Sequence, residues 1–145
     1  MCSSDLIEGK RVVVVEDGPT LTHGGMHYGA GVVAARRFGA AGLVDPRSAA
    51  VGTIREVLDR YPALEPLVPA MGYGTAQIAE LEATLNAVDA DLVLSATPID
   101  LTRLVHLDKP ITRVRYELAP VSGPRLADLI DPIVRAARPT ALAGV

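Results

Sequence analysis

Four consecutive valines, Val12 to Val15, constrain this chain more than any other stretch. A β-branched run without polar interruption suits a strand covered on both faces, and such strands belong to parallel sheets flanked by helices. The residues that follow, EDGPTLTHGGMHYGAG from position 16 to 31, are polar and rich in glycine. In an open parallel sheet, ligands bind outside the carboxyl ends of the strands. The turn after the valines is therefore the first place to look for chemistry.

The rest of the chain alternates between helical and strand-like patterns. Spacing from Met26 to Phe38 predicts a helix with Val32, Val33 and Ala35 inward and Gly39 as its stop. Ala41 to Val44 reads as a short strand closed by Asp45-Pro46, and Val51 to Arg60 as an amphipathic helix burying Ile54, Val57 and Leu58. The stretch YPALEPLVPAMGYG carries three prolines and reads as a loop, with Met71 and Tyr73 anchoring it over the core. Thr75 suits the N-cap of a helix reaching Val88. DLVLSATP reads as a third strand, Ile99 to Val105 as one helical turn, and Ile111 to Leu118 as a less buried strand at the sheet edge. Ser122 or Gly123 precedes a final helix through Arg138, which Pro132 should kink or restart. These patterns predict an α/β, three-layer Rossmann-like fold: a mostly parallel sheet of about four strands with helices on both faces.

The chain has 145 residues, 49% of them hydrophobic and only 3% aromatic, which predicts one domain with an aliphatic core. That domain is expected over residues 7–140, with 141–145 as a tail. The opening MCSSDL matches the translated tail of a sequencing adapter, so residues 1–6 are expected to be a non-native leader, with the native text entering near Ile7. Cys2, the one cysteine, cannot form an internal disulfide. A net charge of -3 offers no electrostatic reason for a nucleic-acid or membrane partner. The apolar runs are too short to span a bilayer and no signal peptide is evident, so a cytoplasmic location is expected.

The three strand ends read EDGPT, VDPR and ATPID, and each joins a carboxylate to a proline. They are expected to meet on one edge of the sheet. Glu16 and Asp17 are the catalytic candidates, placed to position Mg²⁺ or a substrate hydroxyl. Thr20, Thr22, His23 and the amides of Gly24 and Gly25 are candidates for holding phosphate or carboxylate. Arg47, Thr97 and Asp100 would complete the rim. Each has a plainer reading: glycines demanded by turn and helix packing, a local Asp45–Arg47 contact, and Thr97 or Asp100 as helix caps. His23 and His27 stand one helical turn apart, but Gly24-Gly25 interrupts them and no metal is assigned. The chain carries no G-x-x-x-x-G-K-[ST] and no persuasive nucleophile.

The string GKRVVVVEDGPTLTHGGMHYGAGVVAARRFGA, followed by VDPR, YPALEPLVPAMGYG, TPIDLTRL, DKP and RVRYEL, resembles a family of predicted GTPases related to cyclic 2,3-diphosphoglycerate synthetase. The resemblance runs from Ile7 to the last helix. It implies that the chain is the C-terminal domain of a longer P-loop enzyme, either a GTP- or ATP-dependent hydrolase or a ligase forming a phosphoanhydride. GTP or ATP with Mg²⁺ would serve the longer protein, whose missing N-terminal nucleotide-binding region would be this domain's partner. No cofactor and no turnover are expected of the present chain alone. A small phosphorylated or acidic metabolite is the expected ligand, and the alternative is a non-catalytic anion- or metabolite-binding or docking domain. DPRSAAVG departs from the DPRPYAVG expected by resemblance, which touches only the local turn.

Overall fold

The computed structural model describes residues 5–117 and 122–137. The chain divides into two compact units, one ending at Arg115 and the other beginning at Tyr116. The first unit is an α/β fold of the three-layer, Rossmann-like kind. Its core strand β1, Arg11–Asp17, carries the valine run, and Val12 to Val15 are all fully buried. Burial of four successive residues requires cover on both faces, because successive side chains point opposite ways.

Around β1 stand β2 (Gly42–Leu43), β3 (Val68–Ala70), β4 (Leu92–Ala96) and β5 (Ile111–Arg113), every pairing parallel. The order is β2-β1-β4-β5, with β3 also paired to β1. β5 lies at the edge, as its mixed pattern predicts, though it ends at Arg113, and Leu118 lies outside the described residues. β3 falls inside the proline-rich stretch expected to be a loop. Proline lacks an N–H but is tolerated on an edge strand whose N–H side needs no partner. β3 pairs only with β1, and Pro69 stands opposite Glu16.

Four helices belong to this unit: α1 (Gly18–Gly24), α2 (Ala30–Arg37), α3 (Gly52–Arg60) and α4 (Thr75–Ala87). The expected helix from Met26 is therefore shorter, and the expected turn before it contains a helix of its own. Asp17 caps α1 and Pro19 stands in its first turn, a combination that starts a helix at once. Gly25, at φ +61°, ends it with its N–H bonded to Leu21 O. In α2, Val32 and Ala35 are buried as expected but Val33 is 49% exposed. The helix rests on the sheet through Gly31, which turns Val33 outward. Gly74, not Thr75, is the N-cap of α4, and Gln77 folds back onto its N–H at 3.2 Å. A 3₁₀ turn at Leu101–Arg103 fills the expected helical turn.

In the second unit α5 spans Leu126–Ala137, with Pro132 inside one continuous helix rather than at a restart. The expected end at Arg138 lies outside the described residues, as do residues 1–4 of the leader and the tail from 141. Among the described residues, no helix is long and apolar enough to cross a membrane.

Candidate functional site

Pairing register decides which strand ends meet. Asp17 stands opposite Ala70 and Glu16 opposite Ala96, so β1, β3 and β4 end level with one another. β2 pairs only with Arg11 and Val12, and stops well short of that edge. The VDPR segment follows β2 unpaired beyond Val44, and Met71-Gly72-Tyr73 follows β3 at the level strand ends. Arg47 is used elsewhere: it pairs with Asp45 at 3.0 Å and donates to Leu64 O at 2.7 Å, clamping the loop ahead of β3.

Alternation along β1 separates its two carboxylates. Gly31 of α2 packs on Val14, so Val14 and Glu16 share the face that α2 covers, and Asp17 points to the other. Glu16 is only 3% exposed. Its Oε1 accepts from Gly31 N at 2.8 Å and Val32 N at 3.1 Å, which caps α2 from a neighbouring element. Close approach explains the glycines here: a Cβ on Gly29 would lie 2.6 Å from Glu16 Oε2, and one on Gly31 would lie 2.5 Å from Val14 Cγ1. Glu16 is thus enclosed by helix and strand, away from any arriving substrate.

Burial pushes the Glu16 carboxyl above its ordinary value, while the Val32 and Gly31 amides pull it down. A carboxyl raised on folding favours the protonated form. Its stabilising contribution is full below the unfolded pKa and is lost as pH rises through the folded one. Wild type should therefore gain stability relative to Glu16→Gln as pH is lowered from neutral into the ordinary glutamate range. Urea midpoints across that window measure it, and a relative loss would contradict the sign.

The remaining candidates are also engaged locally. Asp17 Oδ2 accepts from Thr20 N at 3.2 Å and from the Thr20 hydroxyl. Thr22 Oγ1 donates to Gly18 O at 3.1 Å. His23 Nδ1 lies 3.0 Å from Pro19 O, an acceptor only, so that nitrogen carries the proton. Gly24 and Gly25 lie at the far end of α1, where the Gly25 N–H is already bonded, so they do not open onto the strand ends. Asp100 accepts from Thr102 N at 3.2 Å and Oγ1 at 2.7 Å, capping the 3₁₀ turn, and the hydroxyl holds its carboxyl below the usual range. Thr97 is buried and donates to Ile99 O at 2.9 Å. Glu80 caps α3 through Thr53 N at 3.0 Å. Three helix starts are thus engaged by the chain's own side chains (Asp17 at α1, Glu16 at α2 and Glu80 at α3), while at α4 Gln77 accepts from the N–H of the N-cap residue Gly74.

The level strand ends instead gather Asp17, Tyr73 and Thr97. The Tyr73 ring packs against the core, and burial raises the proton affinity of its phenol. Its oxygen is buried with no hydrogen-bond partner. Reading Tyr73 as a loop anchor predicted the packing but not the polar end; the repeated glycines of MGYG were the one available signal. Among the described residues no group of three or more His, Cys, Asp or Glu could hold a metal ion. A cavity of about 220 Å³ lies at the opposite end of α1, lined by Leu21, Met26, His27, Tyr61 and Leu64 among others.

Over 127 residues the chain is 58% identical to arginine synthetase ArcE of Thermococcus kodakarensis. The match covers 88% of this chain but 28% of that protein, so the chain spans little more than a quarter of the relative's length. No protein family description matches, and no solved structure matches. The likeness to an arginine synthetase overturns the resemblance to GTPases related to cyclic 2,3-diphosphoglycerate synthetase, and with it the P-loop GTPase function. What the chain is similar to is a segment of an arginine synthetase.

Proposed function

We propose that this chain is one portion of a longer arginine-forming enzyme, and that its strand ends border the reaction site without completing it. The observation that carries this reading is the 58% identity to an arginine synthetase across 88% of the chain. The geometry supports the division of labour, because the polar groups at the level strand ends are few and mostly committed to holding the fold. Turning a ureido carbon into a guanidino carbon forms a C–N bond to incoming ammonia or an amine and breaks the C–O bond, and a phosphoryl group transferred onto that oxygen lets it leave as phosphate. A nucleoside triphosphate with Mg²⁺ is therefore the proposed cofactor of the longer protein. Three of the four helix starts of the first unit are engaged by its own carboxylates, which favours the remainder of the protein, this domain's proposed partner, as the place for the nucleotide.

The test is a chimera in which this chain replaces the matching 127-residue segment of the Thermococcus enzyme. Arginine formation should persist within about tenfold of the parent, the scale of one small binding contribution, while the isolated chain should form none. A folded chimera with no arginine formation, or turnover by the chain alone, would overturn the proposal.

A further inference from the structure

Two loops of the first unit are fastened to each other beside an open hollow. Glu65 N donates to His27 O at 2.9 Å, and Arg36 donates to the Glu65 carboxylate at 3.0 Å. The Arg36 guanidinium in turn lies 5.3 Å from the centre of the Tyr28 ring. Arg47 holds the second loop as well, donating to Leu64 O at 2.7 Å. Backbone, ionic and ring contacts thus fix residues 26–28 against 61–65. The cavity of about 220 Å³ is lined by Leu21, Met26 and Leu64, with His27, Arg60 and Tyr61 among its other walls. Its apolar edge faces water: Met26 is 42% exposed and Tyr61 36%. A hollow with preformed walls and an uncovered apolar edge is suited to an occupant.

Charge narrows what that occupant is. No aspartate or glutamate lines the cavity. Among the described residues, neither the His27 ring nor the Arg60 guanidinium makes a hydrogen bond or ion pair. Such a lining favours an apolar group with a carboxylate beside it. The exposed surface also continues past the cavity through Met26 to Tyr28, which is 41% exposed, and an extended patch suits a protein segment better than a small molecule. The stretch shared with the arginine synthetase is 28% of that protein, so most of a longer enzyme would lie outside this chain and have to meet it.

Resting on the reading of this chain as one portion of a longer arginine-forming enzyme, we propose that the remainder of that enzyme docks on this cavity. One of its segments inserts a large apolar side chain between Met26 and Tyr61 and sets a carboxylate against Arg60 and His27. The MHY and YPAL stretches, which the strand ends leave unused, thereby form one interface.

The test reads access to the cavity edge. In a Cys2→Ser background, Tyr61→Cys introduces a thiol that a maleimide labels readily in the 145-residue chain. In the folded chimera the same position should label about tenfold more slowly, because only the open fraction reacts. Adding Arg60→Glu to the chimera should restore most of the lost rate, since one carboxylate would then face another. Met26→Cys is the second site should Tyr61→Cys fail to fold, and peptide mass spectrometry confines the reading to the substituted position. Equal rates in chain and chimera would overturn the proposal, as would protection that Arg60→Glu leaves intact. Protection already present in the 145-residue chain and growing with its concentration would give the cavity to a second copy. Protection that dialysis of the chimera abolishes would give it to a small molecule, and either result defeats the proposal. Labelling does not depend on turnover. A protected chimera that forms no arginine loses only the functional reading, and one that forms arginine while labelling freely loses only the docking.

Discussion

Glu16→Ala is expected to destabilise the first unit by about 3–5 kcal/mol, the cost of leaving two buried donors unpaired together with a small cavity. The donors are the Gly31 and Val32 amides, both bonded to Oε1, and the site is only 3% exposed, so water cannot readily replace the carboxylate. Urea unfolding read by far-UV circular dichroism measures the loss. Asp17→Ala provides the contrast. It removes a more exposed cap from the seven-residue α1 and should cost about 1 kcal/mol. Were Glu16→Ala to fold with near-native stability, the enclosed cap would not be what fastens α2 to the sheet.

Gly31→Ala should be comparably severe although it adds one methyl group. Its Cβ would lie 2.5 Å from Val14 Cγ1, 3.0 Å from the Ala96 Cβ and 3.1 Å from Glu16 Oε1. Val14 is fully buried in the central strand and cannot swing aside, so α2 must lift away from β1 and β4. Overpacking of this kind costs about 1–3 kcal/mol, and the displaced cap adds to it. Both changes act on one contact, so the double variant should lose clearly less than the sum of the single losses. Gly25→Ala, at φ +61° with open space around it, should cost only about 1 kcal/mol. Thermal or urea midpoints of the set separate close approach from backbone conformation. A Gly31→Ala loss no larger than that of Gly25→Ala would show that α2 does not need the glycine.

The glycines of the first turn look alike in sequence and differ in cause. Gly25 answers to a left-handed backbone, whereas Gly29 and Gly31 answer to a carboxylate and a valine from the strand before them. Reading Gly24 and Gly25 as amides available to a ligand overlooked that the Gly25 N–H closes α1 on Leu21 O. Likewise Asp17, Thr20, Thr22 and His23 form a phosphate-like constellation on paper, but in space they bond one another and the turn of α1. Short polar side chains beside a helix start satisfy the nearest backbone groups first. Arg47 is bound in the same way to the loop carbonyls it clamps.

From sequence alone the valine run, the helix at Val51 to Arg60 and the strand in DLVLSATP were legible, because continuous or 3.6-periodic burial is written in consecutive residues. So was a parallel α/β architecture. What only the tertiary structure decided is register. It set β2 short, recruited a proline-bearing β3 that local propensity disfavours, and so brought the segment after Ala70 to the end of β1. Register depends on hydrogen bonds between segments tens of residues apart, and no local spacing encodes which of them end side by side.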